Sequence, residues 1–125
     1  MDRCSILIVD DERDVLLVLR KELTGRGYFV ITADNGEDAI MLAKSKQPDL
    51  IILDVLMPGM DGPEVAINLQ QHPKTKDIPI MFLSCLYPKS EEVAKGHMVG
   101  VQVMFSKPYD PEELASTIEG LLLKK

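Results

Sequence analysis

Asp10 and Asp11 close one apolar run, Ser5-Ile6-Leu7-Ile8-Val9, and Asp54 closes a second, Leu50-Ile51-Ile52-Leu53. Ser84 and Lys107 end two later apolar runs in the same way. Runs that are continuously apolar, without alternation, read as fully buried strands. Carboxylates at the ends of neighbouring buried strands repel one another, a costly arrangement unless they hold a cation or take part in a reaction. Hard oxygen donors with open, watered positions suit Mg²⁺. Beside such a cation a carboxylate can act as nucleophile, as in aspartyl-phosphate chemistry. Lys107 would then neutralise charge on the incoming phosphoryl group, and the Ser84 hydroxyl would hydrogen-bond one of its oxygens. Positioning and charge stabilisation are most of what phosphoryl transfer asks of a protein.

The elements that must position these residues alternate along the whole chain. The pattern predicts strands over 5–9, 29–33, 50–53, 80–83 and 101–105. It predicts helices over 13–24, 37–46, about 63–71, 90–98 and from Pro111 onward. Val15, Leu16, Val18, Leu19 and Leu23 give the first helix its apolar residues, and Ala39, Ile40, Leu42 and Ala43 face inward on the second. Asn35-Gly36 reads as a turn, and Met57-Pro58-Gly59-Met60-Asp61-Gly62 as a loop rich in breakers. Five strands alternating with five helices imply a doubly wound parallel sheet covered on both faces. In such sheets ligands bind beyond the carboxyl ends of the strands, where Asp10, Asp11, Asp54, Ser84 and Lys107 all fall.

The chain has 125 residues, enough for one domain with its own core, and 46% of them are hydrophobic. The net charge of -6 argues against a nucleic-acid surface. No apolar stretch approaches the roughly 18 residues of a membrane span, and Met1-Asp2-Arg3-Cys4 lacks the build of a signal peptide. A cytoplasmic protein is expected, with Cys4 and Cys85 as reduced thiols. His72 and His97 read as solvent-exposed, and Asp61 as a turn or capping residue. Taken by themselves, Asp10 and Asp11 would be caps of the first helix; together with Asp54 they read as a site.

Four motifs carry a resemblance. They are Ile-Val-Asp10-Asp11-Glu12, the stretch from Asp54 through Met57-Pro58 to Asp61-Gly62, Ser84 after the fourth strand, and Lys107-Pro108 after the fifth. In this order, at these strand ends, the chain resembles the receiver domain of two-component response regulators over essentially its full length. The resemblance implies a flavodoxin-like (βα)5 sheet with strand order 2-1-3-4-5. It implies phosphorylation of Asp54 by a histidine kinase or a histidine phosphotransfer protein. It further implies Mg²⁺ held by Asp11, Asp54 and the backbone carbonyl of Leu56, with Asp10 acting through water. Lys107 and Ser84 would contact the phosphoryl group, and the protein would catalyse only its own phosphoryl transfer and dephosphorylation.

The chain departs from the family pattern at Met104, where the family usually has an aromatic switch residue; the neighbouring Phe105 falls on the opposite strand face. A weaker or differently shaped switch through Ser84 and Met104 is expected. Leu56 and Leu86 stand where the family tunes acyl-phosphate hydrolysis, and neither can orient water, which predicts a long-lived phosphoaspartate. The competing readings are an interaction-only receiver, a Mg²⁺-dependent phosphohydrolase, and a flavin or nucleotide carrier. The hydrolase usually has an Asp-x-Asp pair, whereas Asp10 and Asp11 are adjacent, and no glycine-rich phosphate cradle is present. The 1–125 segment reads as a single receiver domain, either stand-alone or excised from a longer regulator or hybrid kinase. Its output partner is undefined. A dimer through the face formed by 90–98, the fifth strand and the last helix, near Tyr87 and Tyr109, is left open.

Overall fold

The computed structural model describes residues 3–84, 102–106 and 110–123. Five strands form one parallel sheet: β1 (Ser5–Val9), β2 (Phe29–Ala33), β3 (Leu50–Leu53), β4 (Ile80–Ser84) and β5 (Gln102–Ser106). Their order is β2-β1-β3-β4-β5, the doubly wound arrangement expected from the sequence. Four helices are described: α1 (Arg13–Gly25), α2 (Gly36–Lys46), α3 (Gly62–Gln70) and α4 (Pro111–Leu123). The predicted helix over 90–98 lies outside the described residues, as do Cys85, Leu86, Tyr87, His97, Lys107 and Tyr109.

The central strands are apolar throughout because both of their faces are covered. Leu7, Val9, Ile51, Leu53, Ile80 and Phe82 face a cluster completed by Ala39 and Ala43 of α2 and Val65, Ala66 and Leu69 of α3. Ile6, Ile8, Leu50, Ile52, Met81 and Leu83 face the other, completed by Leu16, Leu19 and Leu23 of α1 and Leu114 and Ile118 of α4. Side chains alternate across each strand, so a buried parallel strand must be apolar at every position. Each such side chain contributes roughly 1.5–3 kcal/mol on burial.

The buried stripe of α1 is narrower than its sequence suggests. Leu16, Leu19 and Leu23 are buried, but Val18, counted with the apolar residues of this helix, is 60% exposed, beside Leu17 at 59%. Spacings of three and four residues reach one face of a helix, and Val18 falls off that face. Asn35 does more than turn the chain: its side chain accepts from the Asp38 N–H and caps α2. Asp61 caps α3 in a reciprocal capping box with Glu64, with Pro63 in the first turn. His72, expected in solvent, is partly covered, and its Nδ1 accepts from the Lys74 N–H at 3.1 Å. Cys4 is free and half-buried.

Candidate functional site

Register brings the acids together. Val9 pairs with Leu53 across β1 and β3, so the residues that follow, Asp10 and Asp54, emerge abreast. The Asp54 N–H donates to the Val9 carbonyl at 2.9 Å, and the Asp10 N–H donates to the Ala33 carbonyl at 3.2 Å. These bonds carry the ladder one residue past each strand and hold both acid backbones against their neighbours. Asp10, Asp11 and Asp54 each place a carboxylate oxygen within 4.8 Å of the other two. Asp10 is 2% exposed and Asp54 8%, whereas Asp11 stands in solvent.

Neither Asp10 nor Asp11 caps α1. The N-cap is Glu12, and no side chain bonds the first turn from that position. Asp10 instead accepts from the Glu12 N–H through Oδ1 at 2.9 Å, a bond that turns the chain before the helix begins. Two buried carboxylates this close repel by roughly 3 kcal/mol at an effective dielectric near 20. A small divalent cation relieves that repulsion. The donor set is all oxygen, and octahedral Mg²⁺ places its ligand oxygens roughly 3–4 Å apart, a spacing these carboxylates can meet. The residues therefore fit the ion.

The loop after Asp54 is fixed at both ends. Gly62, the first residue of α3, donates its N–H to the Val55 carbonyl at 2.9 Å. Between them Met57 is buried and Leu56 is 51% exposed. The predicted strand-end residue Ser84 is the last of β4, in register with Ser106 of β5; Phe82 and Met104 are also partners, as are Leu83 and Phe105. Met104 and Phe105 thus occupy consecutive register positions, and consecutive strand residues belong to opposite faces. Lys107 lies outside the described residues. Sequence reasoning marked Gly62 as a chain breaker and missed that it abuts the backbone of Asp54. The only signal was its place just past the predicted nucleophile.

Beside the acids, a depression of about 410 Å³ between the start of α1 and the end of β2 is bordered by Asp11, Arg13, Arg20, Thr32 and Asp34. Of the three acids, Asp11 is the one that borders it. Among the described residues no helix is long and apolar enough to cross a membrane.

This geometry has relatives. The chain is 39% identical over 120 residues to the alkaline phosphatase synthesis transcriptional regulatory protein PhoP of Bacillus subtilis, covering 94% of the chain and 48% of PhoP. It is 36% identical over 123 residues to the transcriptional regulatory protein YvrH of the same organism, covering 98% and 50%. The chain thus spans about half the length of the curated relatives it matches. Among solved structures it superimposes on the chemotaxis protein CheY4 of Vibrio cholerae with TM-score 0.85 at 31% identity, covering 96% of this chain and 99% of that one. The receiver domain of a signal transduction histidine kinase from Syntrophus aciditrophicus matches with TM-score 0.84 at 32% identity, covering 97% and 91%. The profile of the response regulator receiver domain matches residues 6–119. With this sheet order and this acid cluster at its edge, the chain belongs to the response regulator receiver domain family, the signalling switches of two-component phosphorelays.

Proposed function

We propose that Asp54 is the phosphoacceptor of this receiver domain. The convergence of Asp10, Asp11 and Asp54 within 4.8 Å, at abutting ends of β1 and β3, carries the reading. Asp54 is held in place at the end of β3: its N–H is tied to the Val9 carbonyl, and the residue is 8% exposed. One of its carboxylate oxygens attacks the phosphorus of a phosphohistidine. The P–N bond breaks, the imidazole leaves and takes a proton, and an acyl phosphate forms on Asp54. Asp11, Asp54 and the Leu56 carbonyl would hold Mg²⁺, with Asp10 reaching it through water. Bound Mg²⁺ supplies the positive charge that lets an anionic phosphodonor approach three carboxylates. Ser84 ends β4, and Lys107 comes next in sequence after Ser106 of β5; they would supply a hydrogen bond to the phosphoryl oxygens and charge neutralisation. Ser84 and Met104 make up the switch, weaker for having methionine at the aromatic position.

Leu56 stands half in solvent two residues past the acceptor and offers no group to orient an attacking water. The acyl phosphate is therefore long-lived, and its formation and slow loss are the protein's own catalysis. The donor is a histidine kinase or histidine phosphotransfer protein in the cytoplasm. The whole reads as one receiver domain, stand-alone or part of a longer regulator or hybrid kinase, that acts through an output partner without itself binding nucleic acid or membrane. A dimer through the face formed by 90–98, β5 and α4 would be one form of output.

Intact mass after incubation with acetyl phosphate, with and without Mg²⁺, tests the assignment. A single Mg²⁺-dependent phosphoryl adduct, absent from Asp54→Ala, is the expected result. A folded protein that takes no adduct would make it an interaction-only receiver, with Met104 the first suspect.

A further inference from the structure

Gly59, in the loop, and Gly62, at the start of α3, lie three residues apart, and they are glycines for different reasons. Gly59 has φ +78, and a Cβ there would meet nothing within 4 Å; the turn needs its conformation. Gly62 lies outside that left-handed region, so any residue could adopt its backbone. What it lacks is space. A Cβ at 62 would run into the Asp54 carbonyl oxygen and would come within 2.9 Å of the Val55 Cα and 3.1 Å of the Asp54 carbonyl carbon. All three atoms are backbone, so no side chain can swing away to make room.

We infer that Gly62 is a positioning residue for the Asp54 nucleophile: its missing Cβ lets α3 begin directly against the Asp54 peptide. This rests on the reading of Asp54 as acceptor. The Asp54 backbone is held from two sides, by Val9 through its N–H and by Gly62 against its carbonyl. The Gly62 N–H bond to the Val55 carbonyl and the Asp61–Glu64 capping box keep the helix start in place. Any atom added at 62 moves the Asp54 peptide or moves α3. Either shift displaces the Asp54 carboxylate and the Leu56 carbonyl relative to Asp10 and Asp11.

Gly36→Ala provides a matched control. A Cβ at Gly36 would meet Val65 Cγ2 at 2.8 Å and Met60 Cβ at 3.0 Å, a crowded packing site whose neighbours are side chains and which does not touch Asp54. Gly62→Ala, Gly36→Ala, Asp54→Ala and wild type are compared for Mg²⁺ affinity by calorimetry, adduct rate with acetyl phosphate, and urea midpoint by circular dichroism. Gly62→Ala is expected to bind Mg²⁺ about tenfold more weakly and to form adduct about a hundredfold more slowly while still folded. Gly36→Ala is expected to lose stability yet keep Mg²⁺ affinity within about twofold of wild type. Unchanged affinity and rate in Gly62→Ala overturn the inference, as do losses in the two glycine variants that simply track their urea midpoints. Should Gly62→Ala not fold, Asp61→Ala frees the helix start without adding an atom. Its Mg²⁺ affinity should fall about two- to threefold, and no change would overturn the inference. A wild type without adduct, or an adduct that survives Asp54→Ala, defeats the acceptor reading itself and takes this inference with it.

Discussion

Asp49 and Asp54 flank the same four-residue strand, and they do opposite work. Asp49 lies just before β3. Its Oδ2 accepts from the Ser5 N–H at 2.8 Å, and its own N–H donates to the Ser5 carbonyl at 2.8 Å. The acid thereby fastens the start of β3 to the start of β1. Asp54 lies just past the other end, bonded to Val9 through its N–H in the same way. Its carboxylate, however, shares its end of the sheet with those of Asp10 and Asp11. The acid at the start of the strand meets a backbone donor and fastens the chain, whereas the acid at its end meets other acids in a group that could hold a cation.

The contrast can be broken most sharply at the two aspartates themselves. Asp54→Ala should abolish the phosphoryl adduct, whereas Asp49→Ala should keep it; intact mass decides, and an adduct lost in both would erase the distinction. The next effect is on lifetime. Leu56→Asn combined with Leu86→Glu should speed loss of the acyl phosphate by about tenfold or more, because both new side chains can orient water. The decay of phosphoprotein by mass after removal of donor reads this, and an unchanged rate would remove the two leucines from the account. Smaller still is the effect of the cation on folding. Mg²⁺ at a concentration about a hundredfold above its Kd should stabilise wild type by about 2.7 kcal/mol, an increment absent from Asp11→Asn. Urea midpoints with and without the ion give the comparison.

At the opposite end of the sheet the effects are purely structural. Asp49→Ala strands the half-buried Ser5 N–H and should lower stability by about 1–3 kcal/mol with Mg²⁺ affinity intact. The smallest effect concerns Tyr28. Burial, then the charges of Glu119 and Cys4, push its phenol above the ordinary value, against an opposing pull from Arg26. The folded state thus holds this proton more tightly than the unfolded state. Its contribution is whole below about pH 10, the unfolded value, and falls away as pH rises through the higher folded value. Urea midpoints measured across that alkaline range should decline less steeply in Tyr28→Phe.

Much of this site could be read in the sequence because the relevant physics is local. Continuous apolar runs marked β1, β3 and β4, since a strand buried on both faces admits no polar alternation. The acids at their ends were visible as composition changes. The first helix shows where local reasoning fails. Val18 has the right chemistry for the core but the wrong angle, and only the seating of α1 on the sheet determines which stripe is covered. Asp10 fits the usual profile of a helix cap, yet it bonds Glu12 ahead of the helix while Glu12 takes the N-cap position.

The sequence by itself determined the alternation of strands and helices, and hence the doubly wound parallel sheet and the edge on which its acids lie. Those features follow from continuous apolar runs, from the 3.6-residue period of the helices and from the handedness of crossovers, all of which act between neighbouring elements of the chain. The tertiary structure decided that Asp10 and Asp54 stand abreast, because the Val9–Leu53 register is set by bonds between strands more than 40 residues apart in the chain. It decided too that Gly62 must lack a side chain, because that depends on how closely α3 approaches the Asp54 peptide. Both are distances between segments that meet only after the core has closed, and no local pattern of residues encodes a distance of that kind.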